Sequence, residues 1–195
     1  AFALTGTGLT IPAGAKPTLS GSVVLGGNGI TVSSLDVVTS TGTGFWDNQP
    51  GAINEITVGN SVTVSANGFP AVDLTAVTAS ASGIAFASLS STNSAGKGVN
   101  LSGIGGVLVS TATTVTNPTG AGIDVQSTVI SSGVNLGTAT STLSGGTGVN
   151  LASNAGAVSF GSLTVAPVSG QRGLHATEST GTLTVATGSV TTSNG

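Results

Sequence analysis

A six-residue unit recurs along this chain: Gly-x-Gly, then an apolar, a polar and an apolar residue. It reads Gly96-Lys97-Gly98-Val99-Asn100-Leu101, then Gly120-Ala121-Gly122-Ile123-Asp124-Val125, then Gly146-Thr147-Gly148-Val149-Asn150-Leu151. A looser copy is Arg172-Gly173-Leu174-His175-Ala176. Earlier relatives are Gly6-Thr7-Gly8-Leu9-Thr10-Ile11 and Gly27-Asn28-Gly29-Ile30-Thr31-Val32, and Asn67-Gly68-Phe69 leads to Val72-Asp73-Leu74. The second glycines at 98, 122, 148 and 173 stand 24, 26 and 25 residues apart, and Ser193-Asn194-Gly195 opens another copy 22 residues on. A fixed period of this length marks a repeat architecture, whose units bury their apolar faces only against neighbouring units.

Two further alternating runs lie between successive units. One coil has Val158-Ser159-Phe160 and Leu163-Thr164-Val165, and the next has Leu183-Thr184-Val185 and Val190-Thr191-Thr192. An upstream coil has Val107-Leu108-Val109 and Val115-Thr116. Period-2 alternation over three to five residues is a strand signal. No segment shows a helical period, and glycine with β-branched residues weakens any helix. The pattern predicts an all-β fold: a three-sided parallel β-helix of about eight coils, each 22–26 residues, filling 1–195 as one domain. Its rod would be roughly 40 Å long at ~4.8 Å per coil. Right-handed winding is expected because parallel crossovers favour it. A sandwich or up-and-down barrel is the main rival, but those folds use hairpins at 8–12-residue spacing.

Composition narrows the function. Charged residues are 5% of the chain, Cys is absent, and the net charge is −3. Three cations, Lys16, Lys97 and Arg172, cannot neutralise a phosphate backbone, so no nucleic-acid partner is expected. No apolar run reaches the ~20 residues that span a bilayer, so this segment is not expected to insert. The 38% hydrophobic content argues for a packed core over a disordered linker. The chain opens without an initiator Met or signal peptide, as expected of a mature product or a fragment of a longer array.

The Gly-x-Gly-apolar-Asn/Asp-apolar units, with their Gly/Ser/Thr-rich connectors, resemble the β-strand repeats of giant bacterial surface proteins. Autotransporter passengers and filamentous-haemagglutinin-like adhesins belong to that group. The resemblance covers essentially the whole chain. It implies an extracellular location at the bacterial surface and a structural or adhesive role. Expected partners are further coils or subunits at the ends of the solenoid, and surface glycans. No catalytic motif is carried over, and neither an enzyme activity nor a cofactor is expected.

One column of residues stands out. The middle side chain of an apolar-polar-apolar strand points outward. Stacking would align Asp73, Asn100, Asp124, Asn150 and His175 on one outer face. Carboxylates converging there could bind calcium or attack a sugar, but Asp124 is flanked by Asn100 and Asn150. A solvent-facing polar ladder is the simpler expectation, and His175 alone is a weak acid–base or metal candidate. The segment Phe45-Trp46-Asp47-Asn48-Gln49-Pro50 holds the only Trp and breaks the pattern. It is either a sugar-stacking or partner-contact loop, or a corner whose aromatics cover the core. Thr-x-Thr runs at 111–113, 138–142 and 180–184 resemble those of ice-binding proteins. They share no fixed phase, and β-propensity explains them more simply. Gly26-Gly27-Asn28-Gly29-Ile30 lacks the Asp of calcium-binding nonapeptides. Asn100-Leu101-Ser102 matches a glycosylation acceptor, a pattern that often arises by chance.

Overall fold

The computed structural model of the chain describes residues 2–4, 16–49 and 51–191. The repeat copies at 6–11 and 193–195, and Pro50, lie outside the described residues. All pairings between the described strands are parallel, and the strands form two sheets wound about one axis. The first sheet stacks eight strands: Phe2–Leu4, Val23–Leu25, Phe45–Asp47, Val72–Thr75, Val99–Ser102, Ile123–Gln126, Val149–Ala152 and Leu174–Thr177. The chain therefore makes about seven turns of a parallel β-solenoid, with no helix among the described residues. Register partners at the start of these strands lie 21, 22, 27, 27, 24, 26 and 25 residues apart. The early coils are thus shorter, and two middle coils longer, than the sequence period.

The second sheet turns a corner and supplies the other two faces. Its long strands are Ile53–Asn67, Val77–Thr92, Val107–Thr116 and Ala157–Ala166. Within each, the buried positions change phase part-way. Leu108 and Ser110 are buried in Val107–Thr116, then Thr113 and Val115. Val158 and Phe160 are buried in Ala157–Ala166, then Leu163 and Val165. Alternation holds inside a straight strand because successive side chains take opposite faces. A one-residue slip in that alternation is therefore the mark of a bend.

Inward side chains stack coil on coil. Val72, Val99, Ile123 and Val149 are register partners and are fully buried, as are Leu74, Leu101 and Val125. Across the bent sheet Ile84, Leu108, Val134 and Val158 form a second row, and Val37, Val64 and Leu89 begin a third. Burying each such side chain contributes about 1.5–3 kcal/mol. Phe45 and Phe86 meet edge-to-face inside the core, with centroids 5.3 Å apart and planes at 83°.

The second glycine of the repeat is required by space. A Cβ on Gly98 would stand 2.2 Å from Val115 Cγ1 and 2.8 Å from the Gly122 carbonyl oxygen. On Gly148 it would stand 2.2 Å from Val165 Cγ1 and 2.8 Å from the Gly173 carbonyl oxygen. This glycine therefore lets one corner press against the third face and against the next coil. The corners after the first sheet work differently. Ala76, Gly103, Ser127, Ser153 and Glu178 all take positive φ, between 52° and 64°. Their amides bond from coil to coil, Ala76 to Ser102, Gly103 to Gln126, Ser127 to Ala152 and Ser153 to Thr177.

Candidate functional site

The outward positions of the first sheet form one continuous column. Register places Val24, Trp46, Asp73, Asn100, Asp124, Asn150 and His175 on consecutive coils. The five polar members expected from the sequence are therefore brought together, and they bond to one another. Asn100 Nδ2 donates to Asp73 Oδ1 at 2.6 Å, and Asn150 Nδ2 donates to Asp124 Oδ1 at 2.8 Å. Alternating amides with carboxylates keeps like charges off adjacent strands, where they would destabilise the sheet.

The expectation of a solvent-facing ladder needs correction at Asp124. Its side chain points away from the core yet is only 2% exposed. Lys97 forms an ion pair with it, Gln126 Nε2 donates to both its oxygens at 2.8 and 2.7 Å, and Asn150 adds a further bond. Lys97 Nζ also donates to Asn100 Oδ1 at 2.9 Å. A covered carboxylate without such partners would be costly, so this cluster is a closed structural network.

His175 ends the column. Its Nδ1 lies 3.1 Å from Asn150 Oδ1, and its Nε2 lies 2.9 Å from Arg172 Nη1. Guanidinium only donates, so Nε2 accepts; the amide oxygen only accepts, so Nδ1 carries the proton. The ring is held as one neutral tautomer with both nitrogens engaged. No group of three or more His, Cys, Asp or Glu side chains suited to a metal occurs among the described residues.

The Phe45–Asn48 segment is split by the fold. Phe45 is fully buried in the core and offers no surface to a ligand. Trp46 is half-buried on the outer face, Asp47 turns at the strand end, and Asn48 is exposed. Asp47 Oδ1 accepts the Thr75 amide at 2.8 Å. Burial, with a smaller push from the Asp73 charge, raises the Asp47 carboxyl above the ordinary range. Asp36 is shifted the other way, lowered mainly by its bond with Lys16 and then by Thr63. Trp46, Phe69 and Asp73 line an open groove of about 460 Å³, with Ser22, Thr41, Gly42 and Thr43 along its side.

The sequence carried a signal for this placement. Gly42-Thr43-Gly44 precedes Phe45-Trp46-Asp47, which is the repeat unit with an acid in its last place. A Cβ on Gly44 would lie 2.3 Å from Val64 Cγ1, the same contact that Gly98 and Gly148 make. Trp46 is thus the ladder residue of its own coil.

A second outer surface went unrecognised in the sequence. On the far arm of the bent sheet, Thr63, Ser88, Ala112, Thr138, Ser162 and Thr187 line up by register. Beside them run Ser65, Ser90, Thr114, Thr140, Thr164 and Ser189, then Asn67, Thr92, Thr116, Thr142 and Ala166. These three columns contain no charged residue. Of the Thr-x-Thr runs, 138–142 lies on this face, whereas Thr113 points into the core and its hydroxyl has no partner.

Comparison with protein-family models, curated proteins and solved structures finds no match.

Proposed function

We propose that this solenoid is a rigid stalk segment of an extracellular bacterial surface protein, a spacer whose outer faces are available for adhesion. The observation that supports this reading is the unbroken parallel ladder from Phe2–Leu4 to Leu174–Thr177. Each coil hands its backbone bonds to the next, and stability in such stacks accumulates over neighbour interfaces. The polar column on the first sheet is consistent with that role, because its groups are spent on one another. The last described coil lays Leu183, Val185 and Val190 over Val158, Phe160 and Val165, leaving them 38%, 39% and 47% exposed. The reading expects a further coil of the same repeat to cover them. Antibody raised against the chain should label intact cells of its source; labelling only after permeabilisation would overturn the surface role.

A second reading, ice binding, draws on the hydroxyl face. Its columns repeat at ~4.8 Å along the axis and at roughly 6.7 Å along each strand, a spacing set by sheet geometry. A flat, uncharged lattice of threonine and serine hydroxyls suits the regular oxygen array of an ice surface better than it suits a flexible ligand. Thermal hysteresis and faceted ice growth with the purified chain, abolished by Thr140→Lys, would support it; freezing behaviour identical to buffer would sink it.

A further inference from the structure

The groove beside Trp46 has no part in the closed network that occupies the rest of its column. From Asp73 to His175 the outward side chains are tied together, whereas Trp46 interrupts them with a half-buried indole. Phe69 converges on it from the corner that opens the next coil, giving two aromatic side chains on one wall. Asp73 stands one coil away, and among the described residues only its Oδ1 is engaged, by Asn100. Thr41 and Thr43 supply hydroxyls along the side. Gly42 keeps that side low: a Cβ there would come within 3.1 Å of Ser22 Oγ. The groove, about 460 Å³, lies within the range of small-molecule sites, roughly 300–1,000 Å³.

We infer that the Trp46–Phe69–Asp73 groove is a binding subsite for an uncharged hexopyranose, one or two sugar rings at the end of a neutral glycan. The chemistry is divided between two kinds of group. An aromatic face covers the apolar C–H face of a pyranose ring. A carboxylate oxygen accepts from sugar hydroxyls, and a bond to a charged acceptor is stronger than one between neutral groups. The charge also excludes ligands. Asp73 and the neighbouring Asp47 repel sialic and uronic acids, so the site selects against anionic sugars. The inference holds whether or not the solenoid acts as a spacer, since one is read by sugar binding and the other by surface location.

The chain contains one tryptophan, so its emission reports on this groove directly. Maltose, cellobiose, lactose and N,N′-diacetylchitobiose are titrated into the intact chain, with 3′-sialyllactose as the anionic comparison. At least one neutral disaccharide should change Trp46 emission saturably, and sialyllactose should not. Asp73→Asn should weaken that binding about tenfold, the equivalent of 1.4 kcal/mol, with an unchanged far-ultraviolet circular dichroism spectrum. Absence of a saturable response to every neutral disaccharide, or an equal response to sialyllactose, overturns the assignment. So does full affinity in Asp73→Asn.

Discussion

Two carboxyls in this chain are shifted in opposite directions, and the difference is local. Asp36 is bonded to Lys16 and Thr63, which favour its charged form. Asp47 is half-buried, and burial penalises its charge. A carboxyl raised in the folded state stabilises the fold most when protonated. That contribution is complete below the ordinary value of 3.8 and is lost as pH rises through the raised value. At neutral pH Asp47 is therefore a liability retained at the edge of the Trp46 groove. Asp47→Asn keeps an oxygen for the Thr75 amide and removes the charge. Its Tm should exceed that of the parent at pH 7, and the two melting curves should converge near pH 3. A lower Tm at pH 7 would show that the charge is compensated. None of this was legible in the sequence, because Asp47 gains its character from Thr75 and Asp73, residues of the next coil. The stacking of Val99, Ile123 and Val149 was legible, because each follows its own Gly-x-Gly and alternation fixes its face.

At the scale of the coil, the corner after the third face shows how a repeat handles strain. Asn93, Asn117 and Leu143 all take positive φ, at 55°, 55° and 53°, and Gly68 takes 84°. Asparagine tolerates this conformation better than other residues with a side chain. It also builds a side-chain ladder: Asn117 Nδ2 donates to Asn93 Oδ1 at 2.8 Å, and Asn93 Nδ2 reaches Asn67 Oδ1 at 3.4 Å. Leu143 breaks both rules, holding a left-handed backbone with a 53% exposed apolar side chain. Leu143→Asn should continue the ladder from Asn117 and stabilise the chain by about 1 kcal/mol, read as a raised midpoint in denaturant unfolding. A midpoint at or below the parent's would mean that Leu143 is held by contacts its exposure does not reveal. The bends of the second sheet resisted reading for a related reason. Thr111-Ala112-Thr113 looks like one alternating run, yet the chain turns there. Thr111 is exposed and Thr113 is buried, so the hydroxyl face begins only at Thr114.

At the scale of the molecule, the close contacts of the glycines and the continuity of the rows make each coil an exchangeable layer. Ile123 pairs with Val99 on one side and Val149 on the other, and all three occupy the same row of the core. The same holds for Asp124 between Asn100 and Asn150. Deleting residues 123–148 joins Gly122 to Val149 and removes one full turn, including Asp124 and Gln126 and their bonds with Lys97 and Asn150. Val149 and Asn150 then fall on Val99 and Asn100, so the row of aliphatic residues closes without a gap. Lys97 loses its partner at the surface, where its 40% exposure lets water solvate it. If stability is a sum over interfaces between neighbours, this shortened chain folds into the same solenoid, one layer shorter by ~4.8 Å. It should unfold at a lower denaturant concentration with a smaller m-value, since less surface is exposed. Circular dichroism, denaturant titration and the end-to-end distance between spin labels on the terminal coils measure all three quantities. An unfolded product would mean that the coils depend on distant layers, and a chain of that kind could not serve as a spacer whose length is set by the number of its repeats.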